Sequence, residues 1–140
     1  MQVAILAGGL ATRLGYLTRG QPKSMVRIEE RPFLEYQLEF LRKAGVRDVV
    51  LCTGHLGEQI ENYFGNGALF GMSIKYSREP SPLGTAGALK NAEPLLEDIF
   101  FTLYGDSYLF LNFGQALSHF RECNKLALMT VYRNDDRYDK

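Results

Sequence analysis

The segment best equipped for chemistry is LAGGLATRLGYLTRGQPKSMVRI, residues 6 to 28. Ala7, Gly8, Gly9 and Ala11 are small enough for the backbone to come close to a ligand, and their N–H groups can point at phosphate oxygens with no side chain between. Arg13, Arg19, Lys23, Arg27 and Arg31 follow against Glu29 and Glu30, a local positive excess that suits a triphosphate. Plainer readings stand beside this one: a Gly-Gly turn after a strand serves steric ends, and basic loop residues are commonly just solvated. Two familiar phosphate motifs are absent. There is no GxxxxGK[ST], GGLATR is not GxGxxG, and no acidic residue ends the second strand where a ribose would want one. A second equipped point is Asp106 in YGDSYL. An aspartate at the end of an apolar run caps a helix or closes a turn as readily as it serves as a ligand.

Those two loci need a scaffold that brings them to one place. Residues 2 to 7, QVAILA, form a continuous apolar run that stops at Gly8-Gly9, the pattern of a strand buried on both faces. Pro32 stands near the start of a helix with Leu34, Leu38 and Leu41 on one face and Gly45 as its C-cap. Val49 to Cys52 reads as a second strand, and Leu56, Ile60, Tyr63 and Phe64 as the stripe of a second helix closed by Gly65-Asn66-Gly67. Alternation over Met72 to Ser77 predicts a third strand; Ala86, Leu89 and Ala92 predict a short helix. Ile99 to Tyr104 predicts a fourth strand running into Gly105-Asp106, followed by a helix over Phe113 to Cys123, a strand over Leu126 to Tyr132 and a polar end, RNDDRYDK. Alternating elements of this kind argue for an α/β fold with a mainly parallel sheet and helices on both faces. Ligands bind such sheets at the carboxyl ends of the strands, so the Gly8 to Lys23 loop and Gly105-Asp106 fall in one crevice.

Composition bounds the partners. The 140 residues, 46% hydrophobic, suffice for one domain with a core, and residues 1–140 are read as one domain without linker or low-complexity segment. Sixteen basic residues balance sixteen acidic ones, so no global field holds a nucleic acid or an anionic membrane. Cys52 and Cys123 lie in apolar segments and suit buried, reduced thiols. With no basic amino-terminal region and no apolar stretch of roughly 18 residues, the expected location is cytoplasmic.

The loop after the first strand resembles the signature of the sugar-1-phosphate nucleotidyltransferases, LAGGxGTRLxxxTxxxPKxxxxI. The match falls at Leu6, Ala7, Gly8, Gly9, Thr12, Arg13, Leu14, Thr18, Pro22, Lys23 and Ile28; Ala11 stands where the family has glycine. SREPSPLGTAGALKNA resembles the family's second nucleotide-contacting segment, with Gly84 and Thr85 among the small residues lining the base. Glu79, five positions earlier, falls where the base edge is read. Thymidylyl- and uridylyltransferases have glutamine there, whereas a glutamate can only accept. Guanine presents an N1–H beside an amino group, so Glu79 points to GTP, with dTTP or UTP as the runners-up. YGDSYL resembles the family's metal-binding GD motif. His55 and Glu58, toward the sugar end, are read as scaffold, and His119 as helix surface.

The resemblance implies a Rossmann-like, three-layer, GT-A-like nucleotidyltransferase fold, of which this chain is the amino-terminal, nucleotide-binding portion. It implies attack of a sugar-1-phosphate oxygen on the α-phosphorus of a nucleoside triphosphate, giving an NDP-sugar and pyrophosphate. The nucleophile is already an anion, so alignment and charge neutralisation are the work to be done. Arg13 would hold the β- and γ-phosphates, Lys23 the α-phosphate or the sugar phosphate, and Asp106 a Mg2+ ion. The family's domain runs on for on the order of 80 further residues, against the usual domain sizes, and that part supplies a second metal-binding aspartate. Asp135, Asp136 and Asp139 lie in the wrong order of elements to replace it. A catalytically incomplete nucleotide-binding fragment and a regulatory module of the same fold are the alternatives, and the oligomeric state, a homo-oligomer included, stays open.

Overall fold

Strand β1 (Gln2–Leu6) carries only residues with little affinity for water beyond Gln2, and Val3, Ala4 and Ile5 are wholly shielded from solvent. The computed structural model describes residues 1–9, 20–131 and 133; Thr12, Arg13 and the terminal aspartates 135, 136 and 139 lie outside them. A single 3-10 turn at Lys23–Met25 leads into a hairpin of two-residue strands, β2 (Arg27–Ile28) and β3 (Arg31–Pro32), with Glu29 in the left-handed region at φ 56°. No hairpin was expected here, because two-residue strands are too short to show alternation. Helix α1 (Phe33–Lys43) follows, then β4 (Asp48–Thr53), α2 (Gly57–Phe64), β5 (Ser73–Arg78), α3 (Gly84–Ala92), β6 (Phe100–Tyr104) and α4 (Phe113–Cys123).

The order of the strands in the main sheet is β5-β4-β1-β6, every pair parallel. All six residues of β4 except Asp48 are buried, as expected of a strand covered on both faces. Val50 and Cys52 pack with Ala92, Ala88 and Leu6, so this face is roofed by α3. Side chains alternate along a strand, so Val3, Ile5, Val49 and Leu51 point the other way. They too are fully shielded, and the equally buried stripe of Leu34, Leu38 and Leu41 on α1 supplies apolar surface to match.

Local chemistry sets the helix ends. Pro32, at φ −58°, presets the entry to α1, and Glu35 in the first turn with Arg42 and Lys43 in the last suits the helix dipole. Leu56 was expected inside the second helix; instead it is the residue before it, in the left-handed conformation at φ 58°, ψ 21°. The next residue explains the shape. Gly57 lies so close to Thr53 that an added Cβ would come 2.9 Å from the threonine Cβ and Oγ1, and the chain must turn sharply to bring it there.

Contacts divide the chain into two compact units, Met1–Leu109 and Phe110–Lys140. In the second, Asn112 caps α4 by accepting the Gln115 N–H at 3.0 Å, and Asn124 ends it in the left-handed region. Cys123 is half-buried beside His119, its Sγ 3.4 Å from Nε2, not fully buried as its apolar surroundings suggested. The strand expected over Leu126 to Tyr132 is absent among the described residues. Leu126, Met129 and Val131 are exposed, and the described residues of this unit include no strand to pair with the segment, without which an apolar run has nothing to hold it extended.

Leu51 tests the core directly. Leu51→Ala removes a side chain with no solvent exposure and is expected to lower the free energy of unfolding by about 2–5 kcal/mol, read from urea unfolding. A change below about 0.5 kcal/mol, the size of a surface substitution, would contradict this packing.

Candidate functional site

The parallel register puts Leu6, Cys52, Ser77 and Tyr104 in one row across the sheet. Two residues further along each chain stand Gly8, Gly54, Glu79 and Asp106. The ladder reaches past the strands themselves: Ala7 N donates to Cys52 O at 2.8 Å, Glu79 N to Thr53 O at 2.9 Å and Gly105 N to Leu6 O at 2.9 Å.

At this level the chains crowd together, which accounts for the glycines. A Cβ on Gly105 would lie 2.9 Å from the carbonyl oxygen of Leu6, and one on Gly54 2.9 Å from the carbonyl oxygen of Gly8. One on Gly8 would lie 2.5 Å from Oε1 of Glu79. Glu79 therefore lies directly over the glycine backbones, and its other oxygen accepts the Leu83 N–H at 3.2 Å. That bond ties it to the residue before α3, whose first residue, Gly84, has φ +70°, a conformation that a side chain would strain.

A cavity of about 330 Å³ opens above the row, within the range of small-molecule sites. Leu6, Ala7, Gly8 and Gly9 line one wall; Glu79, Gly84 and Thr85 line another; Lys23, Gly105 and Asp106 complete it. Every candidate residue inside the described part of the chain thus borders one cavity, and Thr12 and Arg13 lie outside that part. His55 is exposed, and Glu58 pairs with Arg78 at 2.6 Å.

Lys23 Nζ meets Asp106 Oδ2 at 2.5 Å across the mouth of the cavity. The Lys23 ammonium holds the Asp106 carboxyl below its ordinary value, against the opposing effect of partial burial. The Cys52 thiol behind the cavity is pushed up to about 11, first by burial and then by the charge of Glu79, so it is an inert neutral wall.

Sequence reasoning missed Ser24, Cys52 and Tyr104 around the cavity, Gly54 packed against Gly8, and Gln37 behind the Tyr104–Ser107 turn. Gly54 had a usable signal, since it follows an apolar strand just as Gly8 does. Gln37 had a fainter one, a polar residue in the apolar stripe of a helix.

A family model described as nucleotidyl transferase matches residues 2–139. The chain belongs to this nucleotidyl transferase family. Among its relatives, the D-glycero-alpha-D-manno-heptose 1-phosphate guanylyltransferase of Campylobacter jejuni is 37% identical over 139 residues, covering 99% of this chain and 61% of the relative. That of Aneurinibacillus thermoaerophilus is 48% identical over 92 residues, covering 66% of this chain and 40% of the relative. The crystal structure of HddC from Yersinia pseudotuberculosis complexed with GMP-PN superposes with a TM-score of 0.76 at 33% identity, over 85% of this chain and 53% of that one. This nucleotidyl transferase chain therefore spans between 40% and 61% of the length of these relatives.

The ion pair at the mouth of the site yields a pH prediction. Because the folded pKa of Asp106 lies below its unfolded value, the pair stabilises the fold above about pH 4 and is lost as pH falls through the folded pKa. Both side chains are more than a third exposed, so the contribution belongs with the small values of surface pairs. Followed by carboxyl 13C NMR, the Asp106 midpoint is expected to move upward in Lys23→Met; an unchanged midpoint would show that the lysine does not hold it.

Proposed function

We propose that the protein to which this chain belongs transfers a nucleotidyl group from GTP to a sugar-1-phosphate, releasing pyrophosphate, and that this chain holds the nucleotide. The observation that carries the base assignment is Glu79, a carboxylate anchored over the glycine loop and bordering the cavity. A carboxylate can only accept, and of the common bases guanine offers two adjacent donors on one edge. Relatives named as heptose 1-phosphate guanylyltransferases favour the same reading, and the sugar phosphate is taken to be of the heptose or mannose kind. A uridylyltransferase relative from Synechocystis, 36% identical over 139 residues, keeps glucose-1-phosphate with UTP or dTTP as the second reading.

Gly8 and Gly9 with Thr12 would cradle the phosphates, Leu6 and Ala7 forming the wall behind them because the Ala7 N–H is spent on Cys52 O, with Gly84 and Thr85 beside the base. Arg13 would clamp the β- and γ-phosphates and support the departing pyrophosphate. Lys23 would turn from Asp106 to the incoming phosphate oxygens, a move that frees the carboxylate. Asp106, a carboxylate partly exposed on the cavity wall, is the residue of this chain that would hold Mg2+. Phosphate oxygens and water would be further ligands, as magnesium prefers. Bound there, the ion would neutralise phosphate charge. No helix among the described residues is long and apolar enough to cross a membrane, and we place the protein in the cytoplasm.

The deciding experiment measures nucleotide binding by calorimetry and pyrophosphate release with Mg2+, across GTP, dTTP, UTP, CTP and ATP and a panel of sugar-1-phosphates. GTP is expected to bind best, and Glu79→Gln to weaken GTP by about tenfold or more while gaining UTP or dTTP. A GTP-to-UTP ratio that does not move would sink the assignment of Glu79, and no nucleotide binding at all would sink the function. Arg13→Lys keeps the charge but loses the planar fork, so pyrophosphate release is expected to fall by about tenfold or more; full activity would remove Arg13 from its role.

A further inference from the structure

Gln37 sits in the middle of α1 with 2% of its surface exposed, between Leu34 and Leu41 of the apolar stripe. Burying an amide costs more than burying a leucine unless its hydrogen bonds are made. Its Nε2 donates to Tyr104 O at 2.9 Å and to Ser107 O at 2.7 Å, the two carbonyls that flank Gly105-Asp106. Ser107 N donates back to Tyr104 O at 3.2 Å, closing the turn that Gln37 bridges. Phe33 and Phe40, four before and three after Gln37 on the same helix face, meet the Tyr108 ring at centroid distances of 6.4 and 5.3 Å. One stripe of α1 thus grips residues 104 to 108 at three successive points. Meanwhile Oε1 of Gln37 has no partner among the described residues, so the amide is not there to satisfy itself.

We propose that Gln37 is a positioning residue for Asp106: by holding both carbonyls of the turn, it fixes where the Asp106 carboxylate stands and so how well that carboxylate takes a divalent cation. This rests on the reading of Asp106 as a metal ligand. Gln37 itself touches no substrate, since it lies beneath the cavity and does not border it. Its action on the site passes through two backbone oxygens, so a side chain of equal bulk without donors removes that action and leaves α1 filled.

The test titrates Mn2+ into the full chain by electron paramagnetic resonance, in the presence of a non-hydrolysable GTP analogue, for the parent, Gln37→Leu and Asp106→Asn. Circular dichroism melts and metal-free nucleotide binding are measured on the same samples. Gln37→Leu is expected to stay folded, to bind metal-free nucleotide as the parent does, and to lose Mn2+ affinity by about tenfold or more, the usual effect of removing a group that orients a ligand. Gln37→Met, with an unbranched and adaptable side chain, replaces it if the leucine variant does not fold. A folded variant with the parent's Mn2+ affinity overturns the proposal. If the parent and Asp106→Asn bind Mn2+ alike, the metal role of Asp106 fails, and the positioning role falls with it.

Discussion

The parallel register of one sheet is the constraint from which the site follows. Because β1, β4, β5 and β6 end in one row, the next residues of four separate segments arrive at the same height and must share a small space. Crowding removes side chains at Gly8, Gly54 and Gly105, where an added Cβ would run into a neighbouring backbone or the Glu79 carboxylate. A one-residue slip of β6 would move Asp106 away from Lys23 and put a different residue against Leu6. The central strands β1 and β4 are buried on both faces, and β6 takes its register from β1. The precision of the site is thus inherited from the core.

Electrostatics at the cavity is arranged within a chain that is neutral overall. Lys23 and Asp106 neutralise one another at the mouth, while Glu79 is anchored by a backbone N–H and borders the cavity. On the proposed reading a triphosphate brings several negative charges, and the Lys23 ammonium would be drawn from its carboxylate toward them.

Much of this was legible in the sequence because the signals were local. An apolar run ending in Gly8-Gly9 marks a strand end by itself, and the same holds for the run that ends in Gly105-Asp106. The rule that ligands sit at carboxyl ends then joins them without any knowledge of register. What escaped the sequence was non-local. Gln37 looks like a polar interruption of an amphipathic helix, and its partners are carbonyls 67 and 70 residues away, to which no side-chain pattern points. The strand expected over 126–132 failed in the opposite sense, since an apolar run is a local signal for an element whose stability depends on a neighbour. Leu56 fits the helical spacing of Ile60 and Phe64 yet stands outside the helix, because the approach of Gly57 to Thr53 overrides the period.

The departures from local preference cluster where the chain must be aimed. A left-handed leucine costs about 1–2 kcal/mol relative to an ordinary conformation, and it occurs three residues after β4 ends, directly before α2. The conformation turns α2 so that Gln59, in its first turn, donates to the carbonyl oxygen of Gly20 at 2.8 Å. Gly20 lies within the signature segment, whose start is held to β4 by the Ala7 N–H. A relaxed helix start at Leu56 would point the first turn of α2 elsewhere and release the bond to Gly20. Strain at Leu56 and an amide among leucines at Gln37 share a consequence: each helix reaches a backbone carbonyl of a distant segment, Gly20 in the first case and Tyr104 and Ser107 in the second.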